Sequence, residues 1–244
     1  MRSSLLAVGL LALCAAPADA KKFRVPKTTR QVVTVVTESW TAQKGKLTRW
    51  ERNATGPWKK VGEPIEVNVG KKGLGWGYGL HPEEDTIEHT GPLKSEGDAR
   101  GPAGVFRLSE ATGYGPAPPP GTTLPYRQAG DKLRCVDDPK SKLYNQFAEE
   151  GAGTWASAEI MKRTDELYTF TITVDHNKKP IVPGQGSCIF LHAGKEPTVG
   201  CTAMPLPDLE ALLVWLKADA QPIYVALPQK EYELFASQWK LPPL

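Results

Sequence analysis

The sequence predicts a mainly β fold of mixed sheets with a few short helices, and three observations predict it. The 23 Gly and 22 Pro among 244 residues place roughly 18% of the chain in residues that interrupt regular structure, too many for a helical bundle or coiled coil. β-Branched and aromatic residues gather in short runs bounded by turn residues. A helical apolar stripe is evident in one segment, late in the chain. With 40% hydrophobic and 23% charged residues the chain can bury a proper core. Its net charge of +3 is too weak to argue for nucleic acid or an anionic membrane surface.

Residues 1–20 read as a secretory signal rather than as structure. Arg2 supplies the positive start, Leu5 to Ala16 the apolar run, and Ala18-Asp19-Ala20 the small residues of a cleavage site after Ala20. No later stretch is long and apolar enough for a membrane span. The expected compartment is therefore a bacterial periplasm. Residues 21–30 read as a flexible basic leader, 31–228 as one domain and 229–244 as a C-terminal tail.

Within the domain, Gln31 to Thr37 reads as a buried strand because β-branched residues dominate it. Leu47 to Arg52 follows a turn at Lys44-Gly45-Lys46, and Ile65 to Val69 gives a third strand. Gly70 to Gly79 lacks both the spacing of a phosphate loop and a helix after it, so it reads as backbone packed closely around an aromatic. The segment from Lys94 to Leu108 alternates turn residues with one short strand, and Pro116 to Pro120 is a loop. Asp137 and Asp138 point to opposite faces if extended, so they read as turn or capping groups rather than an acid/base pair. Tyr168 to Val174 is a strand, and Ser187 to Leu191 a buried one that ends at His192. From Pro207, Leu209, Leu212, Leu213 and Leu216 form a helical stripe, with Asp208 and Glu210 in the first turn and Lys217 in the last. Pro222 ends it, and Ile223 to Leu227 closes the domain.

Removing the signal removes Cys14 and leaves Cys135, Cys188 and Cys201, an odd number in an oxidising compartment. Cys135 and Cys188 have plain surroundings and are candidates for a disulfide, which geometry must decide. Cys201 differs, because Gly200 before it permits a tight turn that brings backbone N–H groups beside the sulfur. A thiol becomes a good nucleophile when a neighbour takes its proton, and His192, at the end of a buried strand nine residues earlier, can do so. His176, in the turn after the Tyr168 to Val174 strand, is a further residue that can lie near the thiol. His81 and His89 stand among acidic residues and read as solvated loop.

The segment Ile189-Phe190-Leu191-His192, then Thr198-Val199-Gly200-Cys201 and the leucine-striped helix, resembles the YkuD-type L,D-transpeptidase catalytic domain, whose motif is a His followed by Ser/Thr-x-Gly-Cys. Further blocks resemble its short periplasmic members: Gly73 to Gly77, Glu96-Gly97-Asp98 with Pro102 to Phe106, Cys135 to Pro139 with Tyr144-Asn145, and Pro183 to Ser187. The resemblance spans about Gln31 to Leu227. It implies one mainly β domain that needs no cofactor and acts on peptidoglycan stem peptides as donor and acceptor. Cys201 would attack the third residue's carbonyl and form a thioester, with His192 as general base and then proton donor. Thr198 would support the turn or His192, and Gly200 would give backbone room for the oxyanion. The chain departs from the pattern in carrying Ala203 where many members have Arg, Val199 where others have His, and a shorter loop between His192 and Cys201. These departures leave the acceptor open between an amine and water, the second making an L,D-carboxypeptidase. The same residues admit two other readings. One is a zinc module with Cys188, His192, Cys201 and His176 as ligands, although no close Cys pair supports a metal site; the other is a non-catalytic wall-binding module. Oligomeric state is not readable from the sequence.

Overall fold

A computed structural model describes residues 23–54, 56–82 and 90–244. The signal expected over 1–20 and His89 lie outside them. The chain opens with β1 (Gln31–Thr37), β2 (Lys44–Glu51), β3 (Lys59–Asn68) and β4 (Leu74–Trp76), followed by the long β5 (Gly101–Gly113). The middle holds β6 (Tyr126–Gln128), β7 (Leu133–Val136), β8 (Phe147–Glu149) and β9 (Ala158–Ile160). Then come β10 (Phe170–Val174), β11 (Phe190–Ala193), β12 (Thr202–Met204), α1 (Leu206–Trp215), β13 (Ile223–Pro228) and α2 (Gln229–Trp239).

The main sheet runs β10-β11-β12-β3-β2-β1-β13-β5, and β5 also pairs with β10, so the ladder closes on itself as a barrel. Closure removes the free edges that an open sheet would expose. β8-β7-β9 form a separate three-stranded sheet. The β-branched run of β1 makes it a central strand, paired parallel to β13 and antiparallel to β2, and Val32, Val33 and Val35 are fully buried. The leucine stripe does the same for α1, whose Leu209, Leu212 and Leu213 are fully buried beside Leu216. No helix among the described residues is long and apolar enough to cross a membrane.

Several elements differ from the sequence reading. The short strand expected around Val105 is a 13-residue strand that touches four neighbours, with β4 at its start, β13 in its middle and both β10 and β6 at its end. Its glycines disguised it as a chain of turns. Gly104, with φ 130°, is needed because a Cβ there would stand 2.0 Å from the His81 ring. Gly73, with φ 78°, similarly lets the backbone approach the Trp40 carbonyl, which a Cβ would meet at 2.1 Å. Helix α1 ends at Trp215, because Leu216 turns extended well before Pro222. Lys217 lies past the helix, yet its ammonium still bonds the Val214 carbonyl in the last turn. The extended run before His192 begins only at Phe190, since Cys188 has φ 53°.

Both ends of the domain are packed. Residues 229–239, read from sequence as tail, form α2, which buries Tyr232, Phe235 and Trp239. The leader lies against that helix: the Val25 N–H donates to the Trp239 carbonyl, and the Phe23 ring meets Trp239 edge-on at 5.5 Å.

Candidate active site

Strands β11 and β12 set the central geometry. They run parallel with Leu191 opposite Thr202 and His192 opposite Ala203. Residues two apart share a face, so Cys201, immediately before β12, projects to the same side as Ala203 and His192. Diagonal neighbours in such a ladder lie about 7–8 Å apart at the backbone, within reach for imidazole and thiol side chains. Both line one cleft of about 430 Å³, together with Lys71, Glu159, Arg163, Tyr168 and the loop from Gly194 to Val199. A second hollow of about 500 Å³ lies over β1–β3, against Leu244, and its lining holds no Cys or His.

Among the described residues Cys201 is the free thiol, and it is buried. Its Sγ accepts the Phe190 N–H at 3.3 Å, while the S–H donates to the Cys188 carbonyl at 3.6 Å. Burial pushes the thiol up to about 12, with the Glu159 carboxylate adding to the rise. The Phe190 amide and Lys94 oppose it. His192 Nδ1 sits 2.6 Å from the Ala193 carbonyl, which fixes the proton on Nδ1 and leaves Nε2 as the basic nitrogen. Burial holds this imidazole below the usual histidine range. The resting pair is therefore a neutral thiol beside a neutral imidazole.

The turn between the two strands is held by Thr198. Its hydroxyl donates to the Cys201 carbonyl at 2.6 Å and accepts the Gly200 N–H at 3.0 Å. The Thr198 hydroxyl thus serves the turn and not His192, and the Gly200 amide is occupied rather than held open toward an oxyanion.

The loop in front of β11 is fixed covalently and by polar contacts. A disulfide joins Cys135 of β7 to Cys188, which ties the small sheet to the segment that accepts the thiol proton. Cys188 is thereby unavailable as a thiolate ligand, which removes it from the zinc set. The Cys188 N–H donates to Asn145 Oδ1, and Asn145 Nδ2 donates to the His176 and Asn177 carbonyls. Ser187 Oγ and the Tyr144 hydroxyl both donate to Glu96 Oε2. The sequence blocks around Glu96, Tyr144 and Ser187, distant along the chain, meet here as one scaffold.

His176 is buried in this scaffold, its Nε2 bonded to the Gln185 carbonyl at 2.9 Å and its ring edge-on to Phe106. It does not line the cleft of Cys201. His81 is not solvated loop: it is 5% exposed, and its Nδ1 accepts the Val105 N–H. The acidic residues beside it in sequence misled the reading, because a ring packs against what surrounds it in space. Asp138 accepts the Lys140 and Ala156 amides, a turn-capping role.

The sequence did not single out three residues of the cleft. The Tyr168 ring stands edge-on to His192 at 5.3 Å and to Phe190 at 5.9 Å. Its hydroxyl donates to Glu159 Oε2 at 3.3 Å, and the Arg163 guanidinium lies over its ring at 5.4 Å. Ala203 is almost fully buried, so the guanidinium at this site comes from Arg163 and not from position 203. Glu159 sits on a short strand and Arg163 in the irregular segment after it, and no local periodicity marks either.

Residues 29–225 match the family of L,D-transpeptidase catalytic domains, YkuD. No curated protein matches the chain at a significant level.

Proposed function

Since the chain belongs to the YkuD family of L,D-transpeptidase catalytic domains, we propose that it is a cysteine-dependent acyl transferase of peptidoglycan stem peptides, exported to the periplasm by residues 1–20. The observation that carries this reading is the free Cys201 thiol on the same sheet face as His192, in a cleft that both line.

The reaction follows from the two neutral groups. As Sγ attacks the carbonyl carbon of the donor, its proton passes to His192 Nε2, whose tautomer is set by the Ala193 carbonyl. The proton then goes to the departing amide nitrogen, the C–N bond breaks, and a thioester remains. An amine acceptor reverses these steps: its nitrogen bonds the carbonyl carbon, the C–S bond breaks, and the proton returns through His192 to sulfur. Because burial disfavours the thiolate and the imidazolium alike, charge separates only as the carbonyl is attacked. The buried N–H of Phe190 at the sulfur stabilises the thiolate in that step.

The test is incubation of the mature protein with tetrapeptide-stem muropeptides and identification of products by mass. Release of the terminal amino acid with cross-linked dimers supports amine transfer, and trimmed tripeptide alone assigns water as acceptor. Cys201→Ala is expected to lower turnover by roughly 1000-fold or more. Equal product from that variant would overturn the reading.

A further inference from the structure

The cleft holds an arrangement that proton transfer at Cys201 does not use. Tyr168 contacts three groups at once: His192 at its edge, Arg163 over its face and Glu159 at its hydroxyl. Glu159 thus meets one buried ring at its hydroxyl tip and Arg163 lies over its face, and both line the cavity with Cys201. No ion pair joins them. Arg163 gives its Nε and Nη2 donors to Asp165, at 2.7 to 3.1 Å, while Glu159 takes the Tyr168 hydroxyl.

The acidic side is reinforced. Glu159 pairs with Cys135 across β7 and β9. Asp137 follows two residues later, its Oδ1 buried with no hydrogen-bond partner among the described residues. Burial, and next the Asp137 charge, raise the Glu159 carboxyl. Two carboxylates crowded together and only partly satisfied are a place where a positive group is favoured. Over the face of the Tyr168 ring, the guanidinium lines the cleft, where a negative group is favoured.

We propose that Glu159 and Arg163, spaced by Tyr168, form a subsite for an α-amino-acid centre, the ammonium toward Glu159 and the carboxylate toward Arg163. The proposal deepens the acyl-transfer reading and rests on it for its role. In a two-step transfer the amine that leaves and the amine that attacks occupy the same side of the thioester, by microscopic reversibility. The released terminal amino acid carries both charges, and so does an incoming diamino acid centre. One subsite then serves both: an incoming ammonium passes one proton to the Glu159 carboxylate and attacks as the free amine, and a departing amine takes that proton back, so the subsite favours an amino-acid amine over water and over amines without a carboxylate. The disulfide ties this subsite to the nucleophile, because Cys135 beside Glu159 is bonded to Cys188, whose carbonyl holds the Cys201 S–H.

The test measures binding alone, so that it does not depend on turnover. D- and L-alanine, ethylamine and propionate are titrated into the Cys201→Ala protein and followed by NMR. One enantiomer of alanine is expected to bind at least tenfold tighter than ethylamine or propionate. Adding Glu159→Gln should reduce alanine to the affinity of propionate, and adding Arg163→Gln to that of ethylamine. Arg163→Lys should keep part of the preference, because the charge remains and the fork is lost. Alanine binding no tighter than its two fragments would overturn the proposal, as would variants that weaken all the ligands equally. A wild-type enzyme that forms no thioester would sink the acyl-transfer reading without altering these titrations.

Discussion

The barrel interior and the wall of the Cys201 cleft are held by different forces. Inside the barrel, Val33, Leu47, Phe106, Leu212 and Val225 are fully buried in one apolar cluster, and α2 closes one end with Tyr232, Phe235 and Trp239. The cleft wall is a smaller cluster in which Leu133, Met161, Tyr168 and Phe190 surround the disulfide and Cys201. Around it, the buried polar groups of Asn145, Asn177 and Ser187 and the partly buried hydroxyl of Thr198 each have a named partner. Apolar burial is non-directional and contributes stability; hydrogen bonds and a covalent strap fix atoms in place. Stability and reactivity are therefore separable here, and removing contacts on one side should not imitate removing them on the other.

The largest stability effect is expected at the barrel end. Trp239→Ala removes a fully buried ring stacked on Phe235 at 4.2 Å and edge-on to Phe23, and should cost about 4 to 5 kcal/mol. Urea unfolding would read the loss, and activity per folded molecule should be unchanged below the new transition. A fall in kcat of the folded fraction would break the separation.

Opening the disulfide tests the other side. Cys135 and Cys188 are separated by 53 residues, and a cross-link over such a loop contributes about 4 kcal/mol. Here activity should fall as well, in Cys135→Ser,Cys188→Ser assayed under folding conditions, because the Cys188 carbonyl that orients the thiol loses its anchor. Full activity in the folded double variant would show that the polar contacts suffice.

Acid separates the regions in a third way. Burial lowers His81 to about 4 and His176 to about 3, while both return to about 6.5 in the unfolded chain. Between those values the unfolded chain binds more protons. Stability is therefore fully present above pH 6.5 and is lost as pH falls toward 4 and 3, by about 3 kcal/mol from His81 alone. Activity should decline on its own curve as His192 gains its proton, with a midpoint below the usual histidine value. His81→Gln should remove about 3 kcal/mol of that pH dependence, leaving the part carried by His176, and should leave the activity profile in place. One shared midpoint in both variants and both assays would refute the division.

The same division governs what the sequence revealed. Strands β1 and β13 were legible because they are buried along their length, and helix α1 because it is buried along one stripe; that burial is written into β-branched runs and a leucine stripe. Helix α2 carried a usable signal in Tyr232, Phe235 and Trp239, spaced three and four apart, which the polar residues between them obscured. Strand β5 was hidden because Gly101, Gly104 and Gly113 look like turns until the close approaches that require them are seen. His192 and Cys201 were singled out because a short stretch of chain joins them and their parallel strands are adjacent. Glu159, Arg163 and Tyr168 reach the cleft from the small sheet and the bends after it, and long-range pairing of that kind leaves no periodic trace.

The smallest effect sharpens the comparison most. Thr198→Val keeps the shape of the side chain and removes one hydroxyl, leaving the Gly200 N–H and the Cys201 carbonyl each without their partner. The turn is partly buried, so the stability cost should be about 1 to 2 kcal/mol. If position matters more than stability at this wall, turnover should drop about tenfold even though the protein remains folded, since a displacement well below the length of a bond contact misaligns Sγ with His192 Nε2. Thr198→Ser, which restores the hydroxyl, should recover most of the rate. Recovery in Ser but not in Val assigns the loss to the hydrogen bonds; equal rates in all three proteins would mean that Gly200 and the strand pairing of β11 with β12 hold the thiol without help.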